Sequence, residues 1–211
     1  MAKSRVTRVE VHPERPEPNR LKSAVALLDS GQVIIYPTDT VYGLGAALDE
    51  RAAVERMYSM RRLDKKKPLS LICSSLSQVS QYAIVDDECH RFMRRVLPGP
   101  YTFILRATRE APRLGQSKRR TVGVRMPNHP VALALVEALG RPMLSTSAIP
   151  PGEDEGAISD PAELAQAFSA AGIGVVVDAG LVPVTSSSVI DWSDDAPVVI
   201  REGAGDVSDL T

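Results

Sequence analysis

The sequence predicts a mixed α/β sheet in a single domain, parallel in part. Helical patterns alternate with short β-branched runs through most of the chain. Strands then dominate the end, with apolar runs at Val175–Asp178, Ser188–Asp191 and Val198–Arg201. Length and composition agree: 211 residues, 44% hydrophobic and 24% charged, suit a globular domain that can bury a core. Residues 1–211 are read as one domain with a core of about 19–205. Residues 1–18 supply an N-terminal strand and a Pro-rich connector.

The elements are expected in the following order. A strand covers 6–11. Asn19 caps a helix that carries Leu21, Ala24, Val25 and Leu28 on one face and closes at Gly31. A strand at 33–36 ends at Pro37, and a glycine-rich turn follows. A helix at 50–60 turns Ala53, Val54 and Met57 inward, and a basic loop, 61–67, leads to a strand at 69–73. Asp86 and Asp87 open a helix that ends before Pro98, and strands follow at 101–105 and 121–126. The connector between those two strands, 106–120, is basic. Asn128 or His129 caps a helix with Pro130 in its first turn and Gly140 after its end. A short strand at 143–145 feeds a polar turn, Ser145-Thr146-Ser147. An acidic Pro- and Gly-rich loop, 150–159, leads to a helix capped by Ser159 or Asp160, with Pro161 first.

Several function classes are excluded by what the chain lacks. No run of about 18 apolar residues exists to span a membrane. The N-terminus has no apolar stretch resembling a secretory signal. Two cysteines and three scattered histidines offer neither a disulfide framework nor zinc spacing, so a cytoplasmic protein is expected. Gly43-Leu44-Gly45 lacks the third glycine of a dinucleotide fingerprint, since Leu48 stands there. There is no P-loop and no G-x-S-x-G elbow. Aromatic residues make up only 4% of the chain, too few for a base-stacking platform.

Two features point to an anion. The first is charge distribution. Residues 51–130 hold 17 Lys/Arg against 6 Asp/Glu, and residues 131–211 hold 2 against 13. Folding either gathers the basic third into a cleft for a nucleotide or RNA backbone, or leaves it as solvated helix faces paired with the acidic third. The second is the placement of hydroxyls and cations at strand ends. Val33 to Tyr36 delivers Thr38, Asp39 and Thr40 into the turn that carries Gly43 and Gly45. Arg61 through Lys67, Thr121, Arg125, Ser145, Ser147, Ser187, Ser188 and Arg201 lie at or beside other strand ends. Such a set suits phosphates and a small carboxylate: Arg binds them in a fork and Lys acts as a mobile point charge.

Six ordered blocks, YPTDTVYGLGA, KKPLSLI, LPGPYTFIL, TVGVRMPNHP, PMLSTSA and SSVID…PVVIREG, are similar to the YrdC-like family of L-threonylcarbamoyladenylate synthases, and most so to its YciO branch. The likeness runs from about Leu21 to Gly205, and the chain is shorter than members with an added C-terminal domain. The resemblance implies a twisted, open mixed sheet around a deep, positively charged concave cavity. It implies condensation of L-threonine, bicarbonate and ATP, with Mg2+, to threonylcarbamoyl-AMP and pyrophosphate. A transferase partner then modifies tRNA. It also implies an alternative, a tRNA-, double-stranded-RNA- or ribosome-associated protein with little synthase activity.

Carried over by position, Thr38, Thr40, Arg125 and Ser187 are expected around the threonine. Lys67, Thr121, Ser145, Ser147 and Arg201 are expected around the nucleotide, with Arg61 and Lys67 as catalytic cations. Arg61 stands for the lysine of the family's K-x-R signature. Leu63 replaces its arginine, and Ile149 replaces the asparagine of S-x-N. Each lost donor is worth on the order of 2–4 kcal/mol of transition-state stabilisation, which Arg62, Lys65 and Lys66 are placed to offset.

Overall fold

The computed structural model describes residues 6–64, 67–112, 119–150 and 157–210. The strands are β1 (Thr7–Glu10), β2 (Ile34–Tyr36), β3 (Gly43–Ala47), β4 (Ser70–Ile72), β5 (Ala83–Ile84), β6 (Tyr101–Ala107), β7 (Thr121–Arg125), β8 (Met143–Ser147), β9 (Val175–Asp178), β10 (Ser188–Asp191) and β11 (Val198–Arg201). Among the described residues they form one open sheet ordered β1-β9-β2-β3-β8-β4-β7-β6-β10-β11, with β5 paired to β6. The pairing is mixed, as expected. β2/β9, β4/β7 and β6/β10 are parallel, whereas β2/β3, β3/β8, β4/β8 and β6/β7 are antiparallel.

The helices are α1 (Pro18–Asp29), α2 (Arg51–Arg61), α3 (Leu76–Tyr82), α4 (Asp87–Val96), α5 (Pro130–Leu139) and α6 (Pro161–Ala167). None is long and apolar enough to cross a membrane. Several caps follow the sequence chemistry. The Asp86 carboxylate accepts from the Glu88 and Cys89 amides, Asp160 accepts from Ala162, and His129 Nδ1 accepts from Val131. Gly140 closes α5 in the left-handed conformation.

Four details depart from expectation. α1 starts at Pro18 behind Glu17, not after Asn19; proline's fixed φ favours the first helical position. The Gly43–Ala47 segment is strand, not turn, because its alternate side chains pack on the core while its glycines face an aromatic ring. Ser145 to Ser147 extends β8 rather than turning, held by β3 on one side and, at Ser145, by β4 on the other. α3 and β5 carry too weak a periodicity to be read from the sequence.

One face of the sheet is fully covered. Leu44, Leu71, Phe103, Val124 and Leu144 pack there against Val54 and Met57 of α2, Val79 of α3, Phe92 and Met93 of α4, and Leu164 of α6. The opposite face is covered only over one half. There α1 and α5 bring Leu21, Leu28, Val131, Leu135 and Val136 onto Ile34, Tyr36, Ile72, Met143, Val175 and Val177. The other half, over the rest of β8 and β4 and over β7, β6 and β10, has no helix on it among the described residues.

Candidate active site

That bare half is the floor of a cavity of about 850 Å³. Strand register explains its chemistry. Gly45, Ser145, Ser70, Gly123, Ile104 and Asp191 are successive cross-strand partners, so a row of small or polar residues, broken only by Ile104, runs across it. Two residues along, Arg125 pairs with Ile72, and Val189 pairs with Thr102 and Arg201. Thr121 lies on the same face of β7 as Arg125, about 13 Å away at strand spacing.

Cations stand around this floor. Arg61, Lys67, Arg119, Arg125 and Arg201 line the cavity, against one lining carboxylate among the described residues, Asp191. Arg61 comes from the last turn of α2. The next loop is pinned where the Tyr58 hydroxyl donates to the Lys67 carbonyl at 2.7 Å. Arg119, Arg125 and Arg201 come from just before β7, its end and the end of β11.

Arg125 is held from behind. Its Nη2 donates to Asp39 Oδ1 at 2.5 Å, Thr40 Oγ1 at 2.7 Å and Thr38 Oγ1 at 3.3 Å. The other Asp39 oxygen accepts from the Asn128 amide at 2.9 Å. Arg125 Nε is buried without a partner. Arg201 donates to the Ser187 carbonyl at 3.0 and 2.8 Å and to its hydroxyl at 3.4 Å. Burial and then the like charge of Arg125 hold the Arg201 guanidinium below its ordinary value. Both guanidiniums line the one cavity and repel each other, a repulsion that an anion between them would relieve.

Arg61 is also desolvated, which lowers its pKa. Its Nη1 donates to the Ile149 carbonyl and its Nε is buried without a partner. Leu63, in place of the expected arginine, packs against the core, while Ile149 lines the cavity.

Nine of the ten expected site residues line this one cavity: Thr38, Arg61, Lys67, Thr121, Arg125, Ser145, Ser147, Ser187 and Arg201. Thr40 does not; it is fully buried and supports Arg125 from behind. Arg201, expected near the nucleotide, stands with Ser187 and Arg125, which were expected near the amino acid. Ser145 is engaged already. It donates to the Leu44 carbonyl at 2.9 Å and so accepts from the Tyr36 hydroxyl at 2.7 Å. Burial pushes the Tyr36 phenol up to about 12, keeping it a neutral donor. Lys65 and Lys66 lie outside the described residues. Of the basic third, Arg95 sits on α4 across the sheet from the cavity and pairs with Asp209.

Sequence reasoning missed Tyr36, Ser70, Thr102 and Asp191, and it named Asp39 at the strand end without assigning it a role. Ser70 had a visible signal, a hydroxyl inside the apolar run Leu69–Ile72; Asp39 had another, a carboxylate between two threonines.

The fold is an open mixed α/β sheet with one face half bare, and the cavity on that face is lined by cations and hydroxyls. The chain belongs to the Sua5/YciO/YrdC family, whose model, described as "Telomere recombination", matches residues 26–203. It is similar to the uncharacterized protein YciO of Escherichia coli K12, with 43% identity over 93% of this chain and 95% of that one. The crystal structure of E. coli YciO superposes with a TM-score of 0.92 at 40% identity, over 98% of this chain and all of that one. It is also similar to a Vibrio vulnificus protein named threonylcarbamoyl-AMP synthase, with 35% identity over 65% of this chain and 75% of that one. Pyrococcus abyssi Sua5 complexed with L-threonine superposes with a TM-score of 0.88 at 31% identity, over 97% of this chain; the chain spans 60% of that structure.

Proposed function

We propose that this protein makes threonylcarbamoyl-AMP from L-threonine, bicarbonate and ATP, for transfer to tRNA by a partner enzyme. The observation that carries the reading is the convergence of five cations and several hydroxyls on one cavity large enough for a nucleotide and an amino acid together. The family's named synthases, and the relative complexed with L-threonine, support the choice of substrates.

The threonine ammonium first gives up a proton; the free amine then adds to the carbon of bicarbonate and water leaves, giving a carbamate. A carbamate oxygen then attacks the α-phosphorus of ATP; the bond from that phosphorus to the bridging β-oxygen breaks and pyrophosphate leaves. Anions must be forced together throughout, so the protein's work is positioning and charge neutralisation. Arg125, Arg201 and Ser187 hold the amino-acid carboxylate. Lys67, Arg61, Arg119 and the hydroxyls of Thr121 and Ser147 face the phosphates. Mg2+ arrives on the triphosphate as part of the substrate. Among the described residues no group of three His, Cys, Asp or Glu forms a metal cage, and Asp191 is the wall carboxylate available to such an ion.

The test is pyrophosphate release from ATP and bicarbonate at high enzyme concentration, with and without threonine. Release that does not depend on threonine sinks the reading. A second reading is favoured by Ile149 in the cavity wall and by Arg61 already donating to its carbonyl. It is a tRNA- or duplex-RNA-binding protein with the chemistry weakened, and it predicts RNA binding that falls steeply with salt. Ile149→Asn separates the two. Under the synthase reading it raises threonine-dependent turnover by roughly tenfold, a fraction of one full donor; under the RNA reading it changes nothing.

A further inference from the structure

We infer that Asp39 is a selectivity residue: it cancels the charge of Arg125, so that this end of the cavity takes a singly charged carboxylate in preference to a doubly charged phosphate or sulfate. The inference deepens the proposed function and rests on its placement of a carboxylate at Arg125.

Asp39 is outside the cavity lining, yet its carboxylate meets Arg125 Nη2 at 2.5 Å. Both side chains are only 11% exposed, so water screens the pair poorly. The carboxylate cannot swing away, because its second oxygen accepts the Asn128 amide at the start of the β7–α5 turn. Thr38 and Thr40 share the same Nη2, which fixes the guanidinium at one edge. Nη1 of Arg125 is left for a ligand, but it belongs to an ion pair with no net charge.

Arg201 supplies the contrast. It donates to Ser187, a neutral residue, and among the described residues it forms no ion pair. An anion between the two arginines therefore meets one uncompensated positive charge and one compensated one. A monoanion balances that field. A dianion brings a second negative charge toward the fixed carboxylate of Asp39, where the repulsion is little screened.

The experiment uses sulfate, which stays doubly charged across the neutral range, with calorimetric titration of the full chain. Asp39→Asn keeps an acceptor for Asn128 and removes the charge; Asp39→Ser is a second, smaller variant in case the first does not fold. Each is expected to bind sulfate about fivefold or more tighter than the unaltered protein. The gain should vanish when Arg125→Met is added, which separates this end of the cavity from sulfate bound near Lys67. Sulfate affinity unchanged in Asp39→Asn or Asp39→Ser overturns the inference, and so does a gain that survives Arg125→Met. None of these readouts depends on synthase turnover, so a failed turnover assay and a failed selectivity test are distinguishable.

Discussion

The two halves of the second face belong to one continuous sheet and end differently. Over β9, β2 and part of β8 the outward side chains are Ile34, Tyr36, Val175, Val177 and Met143, and α1 and α5 close over them. Over β4, β7, β6 and β10 the outward side chains are Ser70, Thr121, Gly123, Arg125, Thr102 and Asp191, and the surface stays open as a cavity wall. Apolar side chains recruit helices, because burial is worth about 25 cal/mol for each Å². Small and charged ones return no such gain, so the second half is left for a ligand to cover. One half therefore carries stability and the other carries chemistry.

The largest expected effect tests the open half. Arg125→Ala removes the central guanidinium and leaves Asp39 as a poorly solvated carboxylate with only the Asn128 amide. Threonine-dependent kcat/KM should fall by on the order of 10²–10³, and unfolding free energy by about 3 kcal/mol. Activity within twofold of the unaltered protein breaks the assignment of this half to chemistry. Leu135→Ala tests the covered half. It should cost about 2–5 kcal/mol in urea unfolding, with kcat per folded molecule unchanged. A lost kcat with little lost stability would merge the two halves into one functional unit.

Gly43→Ala strikes the seam between them. A Cβ there would lie 2.7 Å from the Tyr36 ring, so the ring must move and its bond to Ser145 must stretch. The expected loss is about 1–3 kcal/mol, measured by the same unfolding series. The smallest effect concerns His129, which caps α5 through Nδ1 and which burial holds below its ordinary 6.5. The folded state disfavours the protonated ring, so the unfolded chain binds more protons as pH falls below 6.5. Stability is therefore full above that pH and declines through the window between 6.5 and the lower folded value, then levels off. Asn is also a good cap, so His129→Asn should flatten that slope while preserving α5. An unchanged slope assigns the titration to another group.

Much of the covered half was legible. The period of apolar residues in α5, its Pro130 and its Gly140 gave both bounds, and the β-branched runs gave β2 and β9 here, as they gave β10 and β11 beyond it. The open half was harder, because it departs from apolar alternation. Gly43–Ala47 reads locally as a turn, and only the Tyr36 ring beside it explains why the glycines stand in a strand. The site residues were found from hydroxyls and cations at strand ends together with the family likeness. Asp39 was visible as a residue, but its pairing with Arg125 depends on two turns 86 positions apart meeting in space. Thr40 and Arg201 show the same limit. Their chemistry was visible, while the direction of one side chain and the neighbours of the other were set by packing.

Tyr36 lies flat across Gly43 and Gly45 and ends on the Ser145 hydroxyl one strand further on. Four positions, one of them 109 residues from Tyr36, therefore change only in concert. A descendant that gained a methyl at either glycine would need a smaller residue at 36, and would then leave the serine without its phenol. This quartet should drift as a block among related proteins, a fingerprint of ancestry written into the cavity wall.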